Sequence, residues 1–267
     1  FSESQMKSLI DAAATRGMYV LVDWHILKTK DCGNCGDPSN FVNEGSFGSS
    51  ATTFFKTIAS YVKQKNYNHV LYELCNEPVQ GVSWSTIKSY AERMIDVIYQ
   101  NEGSSAVPVV VVGTPEWDQL IMQAAESPIN TNKAHVLYAF HLYANENYHH
   151  ELFNKQFLPA LKQIPVFVSE WGLSTAKPEE VGSWDDVNES YGKTFWNAMG
   201  GQYGQKVSWC NWSYGIKKEG ASSFMESCSA DKLSKSGKII IEMLGGNPAD
   251  KPEVGECFGD PFEFSSS

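Results

Sequence analysis

The runs His69-Val-Leu-Tyr-Glu-Leu-Cys75 and Pro108-Val-Val-Val-Val-Gly113 bracket a segment, Trp84 to Asn101, in which Ile87, Tyr90, Ala91, Met94, Ile95 and Ile98 recur at the spacing of one helix face. Short apolar runs rich in β-branched residues are what a parallel sheet buries on both faces. A helix between two of them is the crossover that parallel strands require. Four more such runs occur, at Met18 to Trp24, His135 to His141, Ile164 to Glu170 and Lys206 to Trp212. Ahead of the first, Ser2 and Gln5 form a capping-box pair, Met6, Leu9, Ile10 and Ala13 fall at helical spacing, and Gly17 can stop that helix. Ser234 to Leu244 reads as the last helix.

Strict alternation of strands and helices leaves two architectures, a closed barrel and an open doubly wound sheet. The open sheet would call for a phosphate-binding glycine fingerprint, and neither G-x-G-x-x-G nor G-x-x-x-x-G-K-[ST] occurs at a strand end. The reading is therefore an α/β fold of the TIM (β/α)8 barrel type with about six βα units visible. It predicts one barrel domain over residues 1–244 and a C-terminal tail over 245–267. Lys28 to Ser50, rich in Gly, Asn, Asp and Ser, reads as a long loop.

A chain of 267 residues is long enough for one large domain. Its net charge of −10 argues against nucleic-acid backbones and anionic membranes as partners, because both need clustered Lys and Arg. A neutral polymer remains compatible, and eight Trp, twelve Tyr and fourteen Phe supply rings on which one can rest. No run approaches the roughly 20 apolar residues of a membrane span, and the first residues lack the pattern of a signal peptide. Six cysteines are too sparse to frame a chain of this size. Cys228 with Cys257 is the expected pair. Cys75 and Cys210 read as small buried hydrophobes, and Cys32-x-x-Cys35 as a loop disulfide or free thiols rather than a metal site. Asn188-Glu-Ser190 is a glycosylation acceptor only in a eukaryotic secretory route.

In a barrel, functional groups gather at the C-terminal ends of the strands, and this chain places its unusual polar and aromatic residues there: His25, Asn76, Glu77, Trp117, His141, Tyr143, Glu170 and Trp212. Glu77 lies in Tyr72-Glu-Leu-Cys-Asn-Glu-Pro78 and Glu170 in Val168-Ser-Glu-Trp-Gly172. A lone Glu is ordinarily a solvated surface charge. Two carboxylates at the ends of buried runs, beside Asn, Pro, Trp or Gly, instead match the pair needed to cut a glycosidic bond.

Asp23-Trp-His25, Asn76-Glu-Pro78, His141-Leu-Tyr143, Ser169-Glu-Trp-Gly172 and Asn211-Trp-Ser213 together resemble, in order and separation, the strand-end motifs of glycoside hydrolase family 5. The resemblance runs from about Gly17 to Leu244. Asp23-Trp-His-Ile-Leu27, Gly113-Thr-Pro-Glu-Trp117 and Asn211-Trp-Ser followed by Lys217 and Glu219 are similar to its bacterial-type endoglucanase branch, also carried by nematodes. It implies a secreted, extracellular, retaining endo-β-1,4-glucanase without metal or cofactor, with Glu77 as acid/base and Glu170 as nucleophile. Such carboxyl groups are expected about 5 to 5.5 Å apart, with the acid protonated while the enzyme waits for substrate. The same resemblance gives Asn76 to the sugar 2-hydroxyl, Tyr143 to the nucleophile, His25 and His141 to the pocket wall, and Trp212 and Trp117 to ring platforms. It gives Lys217 and Glu219 to a more distal glucose, although as loop charges they read equally well as solvated. Trp24, Trp196 and Trp209 are the expected packing tryptophans.

A complete family barrel has eight strands, and the first two, with an arginine that supports the nucleophile, would precede the opening helix of this chain. A fragment of a longer gene, a second chain that completes the barrel, and a rearranged six-stranded barrel are the three accounts; a monomer is expected unless a second chain takes part. Another β-glycanase (mannanase, xylanase or mixed-linkage glucanase) and a carbohydrate-binding inactive fragment are the competing functions.

Overall fold

The structure, a computed structural model, describes residues 2–25, 46–79, 81–103, 107–175, 186–217, 219–225 and 227–248. Helix α1 (Glu3–Thr15) starts as expected: Ser2 Oγ accepts from the Gln5 N–H while Gln5 Oε1 accepts from the Ser2 N–H. Gly17, at φ +65°, turns the chain out of it. There follow β1 (Val20–Asp23), α2 (Ser46–Lys65), β2 (Val70–Glu73), α3 (Trp84–Glu102) and β3 (Val109–Val112). After the short turn Pro115–Asp118 come α4 (Ile121–Glu126), β4 (His135–Tyr143), α5 (Asn147–Leu152), β5 (Val166–Gly172), α6 (Glu189–Asn197), β6 (Ser208–Asn211) and α7 (Lys235–Met243). All six expected strands form.

The strands stand in the sheet in chain order, β1-β2-β3-β4-β5-β6. The first three pairs are parallel, with Val20 opposite Val70, Leu71 opposite Val109 and Val109 opposite His135. A doubly wound sheet reverses its strand order at a switch point, whereas a barrel is wound in one direction. The unbroken order is that of a (β/α) barrel, represented here by six βα units.

The chain divides into two compact units, Phe1–Phe140 with Gln156–Phe167, and His141–Lys155 with Val168–Ser267. In the first, α3 buries Trp84, Ile87, Tyr90, Ala91, Met94, Ile95 and Ile98, the face read from the sequence. Each such large side chain contributes roughly 1.5–3 kcal/mol on full burial. Two hydrogen bonds fix α3 against β2: Tyr90 Oη donates to the Leu74 carbonyl and Tyr72 Oη to Glu102, both at 2.7 Å. Burial pushes the Glu102 carboxyl above its ordinary range, against the lowering effect of the Tyr72 bond.

In the second unit the centre is aromatic. Trp171, fully buried, packs against Trp196 at 6.1 Å and Trp209 at 5.7 Å, and Phe153 against Phe195 at 5.0 Å. Trp196 and Trp209 thus pack as expected, and Trp24 rests on Phe54 at 5.0 Å. Among the described residues the most buried indole is Trp171, which is not one of the expected packing tryptophans. The end strands β1 and β6 are the least buried, with only Val22 buried between them, while all seven residues of β5 are buried.

One boundary is corrected: the loop expected through Ser50 ends earlier, because α2 begins at Ser46. Residues 26–45, with Cys32 and Cys35, and residues 249–267, with Cys257 and most of the expected tail, lie outside the described residues. Cys75 is a buried free thiol, Cys210 is part-buried rather than buried, and Cys228 is disulfide-bonded. Burial first, then the charges of Asp118, Asp23 and Glu73, push the Cys75 thiol well up, so it remains an inert thiol. Among the described residues no helix is long and apolar enough to cross a membrane.

Candidate active site

The first unit holds His25, Asn76, Glu77 and Trp117. Beyond β2 the ladder continues: the Trp24 N–H donates to the Glu73 carbonyl and the Asn76 N–H to the Trp24 carbonyl. The end of β1 is thereby laced to Asn76. His25 Nδ1 lies 2.7 Å from Asp23 Oδ2, and His25 Nε2 lies 3.5 Å from Asn76 Nδ2. With Nδ1–H donated to the carboxylate, Nε2 is left as the acceptor for the Asn76 amide. Asp23 therefore orients His25, and His25 orients the buried Asn76.

Glu77 is half-buried and sits at φ +45°, a left-handed conformation in which a side chain crowds its own backbone. The loop after β3 meets it. A β-carbon at Gly113 would lie 2.5 Å from the Cys75 carbonyl oxygen and 2.9 Å from Pro78 Cδ, so only glycine permits this approach. The Trp117 N–H donates to the Pro78 carbonyl at 2.9 Å, leaving the Trp117 side chain at the surface with 37% exposure. Asp118, which the sequence reading passed over, is fully buried and accepts from the Glu77 N–H at 2.8 Å and from the Thr114 N–H. No local pattern marks it, because its contact with Glu77 spans 41 residues of sequence.

The second unit holds His141, Tyr143, Glu170, Trp212, Lys217 and Glu219. Glu170, 7% exposed near the end of β5, accepts a 2.7 Å hydrogen bond from Tyr143 Oη, and His141 Nδ1 lies 3.6 Å from the same oxygen. His141 Nε2 is 3.1 Å from Ser169 Oγ. A buried carboxylate held by a phenol and faced by an imidazole is fixed in direction, as an attacking group must be. A β-carbon at Gly172 would lie 3.0 Å from the Trp212 carbonyl oxygen and 3.3 Å from Tyr143 Cδ1, so the glycine of Ser169-Glu-Trp-Gly172 lets β6 and Tyr143 close in beside Glu170.

Trp212 donates its Nε1–H to Glu219 Oε1 at 3.0 Å, and Lys217 Nζ lies 3.4 Å from Glu219 Oε2. Glu219 is 4% exposed, so it is no solvated loop charge. Its carboxylate holds the edge of the Trp212 indole, and Lys217 balances the charge.

His149 is a second group that motif reading missed. Its Nδ1 accepts the Tyr143 N–H at 2.8 Å, fixing the backbone of the tyrosine that holds Glu170. Burial first, then the neighbouring His141 and His150, lowers its pKa to about 3 from the ordinary 6.5. Between those values the unfolded chain binds more protons than the folded one, so this contribution is complete above pH 6.5 and is lost as pH falls towards 3. Wild type is expected to lose about 2 kcal/mol of stability through His149 between pH 7 and pH 5. Urea denaturation at both pH values, on wild type and on His149→Gln, checks this: the variant should lack that share of the drop, and equal drops would contradict it.

With this geometry in view, residues 2–218 match the family model Cellulase (glycosyl hydrolase family 5). The chain is similar to endoglucanase CelA of Streptomyces lividans, 34% identical over 242 residues, covering 88% of this chain and 46% of that protein. It is likewise similar to endoglucanase E-5 of Thermobifida fusca, 34% identical over 215 residues, covering 79% of this chain and 40% of that protein. The chain thus spans less than half the length of these two relatives. Among solved structures, it superposes on the catalytic domain of Thermobifida fusca endoglucanase Cel5A (E5) in complex with cellotetraose with a TM-score of 0.72 at 30% identity, covering 90% of this chain and 74% of that one.

Proposed function

Because the chain belongs to the cellulase family, glycosyl hydrolase family 5, we propose that it is a retaining endo-β-1,4-glucanase in which Glu170 is the nucleophile and Glu77 the acid/base. The observation that carries the reading is the Tyr143–Glu170 hydrogen bond of 2.7 Å inside a fully buried strand. Glu170 attacks the anomeric carbon while Glu77 gives its proton to the leaving glycosidic oxygen. Glu77 then takes a proton from water, which opens the glycosyl ester and releases a β-configured product. Asn76, oriented through His25, binds the 2-hydroxyl, a contact that strengthens as positive charge develops at the anomeric carbon. Trp212, its plane set by Glu219, offers a face to the apolar side of a glucosyl ring, and Trp117 offers a second.

Support for β-1,4-glucan as substrate comes from the relatives named endoglucanase and from the cellotetraose held by the Thermobifida fusca catalytic domain. The site of action is extracellular, since a polymer of this kind does not enter cells, and the bonded state of Cys228 fits an oxidising compartment. Reducing-end release from carboxymethylcellulose, with the anomer formed from a cello-oligosaccharide followed by proton NMR, tests the reading. Cleavage with β-anomer appearing first is expected. Binding without cleavage would reduce the chain to a carbohydrate-binding protein, and α-anomer appearing first would replace double displacement with inversion.

A further inference from the structure

We propose that Asp118 is a positioning residue for acid catalysis, holding Glu77 in its working orientation through the Glu77 backbone without itself touching substrate; this deepens, and rests on, the assignment of Glu77 as acid/base. Glu77 occupies the left-handed region at φ +45° without being glycine. Such a conformation persists only where the surroundings impose it. Here the imposing group is the Asp118 carboxylate, fully buried, with Oδ2 accepting the Glu77 N–H and Oδ1 accepting the Thr114 N–H. One side chain thereby clamps the loop after β2 to the loop after β3.

The clamp is itself held in an unfavourable shape. Glu116, Trp117 and Asp118 are three consecutive non-glycine residues at φ +58°, +58° and +60°. The Trp117 N–H to Pro78 carbonyl bond and the contact at Gly113 complete the lock around Asn76-Glu77-Pro78. A buried carboxylate is costly to desolvate, and a single turn hydrogen bond could be met by a neutral side chain. Two peptide N–H donors on different loops require two acceptor oxygens at fixed separation. A carboxylate offers both, whereas an amide offers one acceptor and would set an N–H group against the other donor. Removing the clamp frees Glu77 to leave the orientation in which its proton reaches the leaving oxygen.

The test compares D118N and D118A with wild type on cellotetraose, whose leaving group needs a proton, and on 2,4-dinitrophenyl β-cellobioside, whose leaving group needs none. kcat/KM, which reports the first chemical step, is expected to fall about 100-fold on cellotetraose and to stay near wild type on the dinitrophenyl substrate. Equal losses on both substrates, or no loss on either, would overturn the proposal; D118N supplies the answer if D118A does not fold. Glu77→Gln run alongside must show the same selectivity by leaving group. If it loses both substrates alike, the acid assignment fails and takes the clamp's role with it. A readout independent of turnover is amide hydrogen exchange by NMR: the Glu77 and Thr114 amides should exchange faster in D118N, and unchanged exchange would also overturn the proposal.

Discussion

Glu170→Gln is expected to lower kcat on soluble cellulose derivatives by on the order of 10⁴-fold while leaving the fold intact. The amide is nearly the size of the carboxylate and can still accept the Tyr143 O–H, so the polar contact that orients the side chain has a replacement. What disappears is the charge and nucleophilicity that the proposed bond to the anomeric carbon requires. Thermal unfolding followed by circular dichroism should separate the two effects, with little change in Tm beside a large loss of rate. A 2-deoxy-2-fluoro cellobioside with a good leaving group provides the chemical check, since it should leave a covalent adduct on the peptide carrying Glu170, visible by mass spectrometry. An adduct on another residue would move the nucleophile there.

Glu77→Gln is expected to cost about 10³-fold on cellotetraose, within the range general acid–base assistance supplies. Its signature is more informative than its size. With an activated aryl leaving group the glycosyl-enzyme should still form, but it should persist because no base activates water. Azide, a nucleophile that needs no base, should then accelerate turnover and give a β-glycosyl azide. A variant that neither accumulates the intermediate nor responds to azide would assign Glu77 a structural part at the strand end, and the acid would have to be sought elsewhere.

Strand positions were legible in the sequence because a parallel sheet imposes continuous β-branched runs, and Val109 to Val112 is short, wholly β-branched and bounded by Pro108 and Gly113. Helix α3 was legible because Ile87, Tyr90, Ala91, Met94, Ile95 and Ile98 mark one face at helical spacing, and all six are buried. The start of α2 was not: Ser46 to Ser50 carries Gly and Ser that locally favour loops, and the helix is decided by the packing of later residues such as Phe55 and Ile58. The motif residues stood out by their order along the chain. Asp118 and His149 did not, because each acts on a backbone group brought to it by the fold, at separations of 41 and 6 residues that follow no period. Trp171 was hidden by its place in Ser169-Glu-Trp-Gly172, which drew a functional reading to the Glu beside it and obscured its burial.

That same indole gives β5 an optical label of its own. Three tryptophans within 5.1 to 6.1 Å of one another are close enough for their excited states to couple, and one of them is joined by a peptide bond to Glu170. Coupled chromophores in a fixed array produce near-ultraviolet dichroic bands whose sign and strength depend on mutual orientation. The order of β5 can therefore be followed by light in an inactive variant, with ligand absent, and without adding any foreign dye.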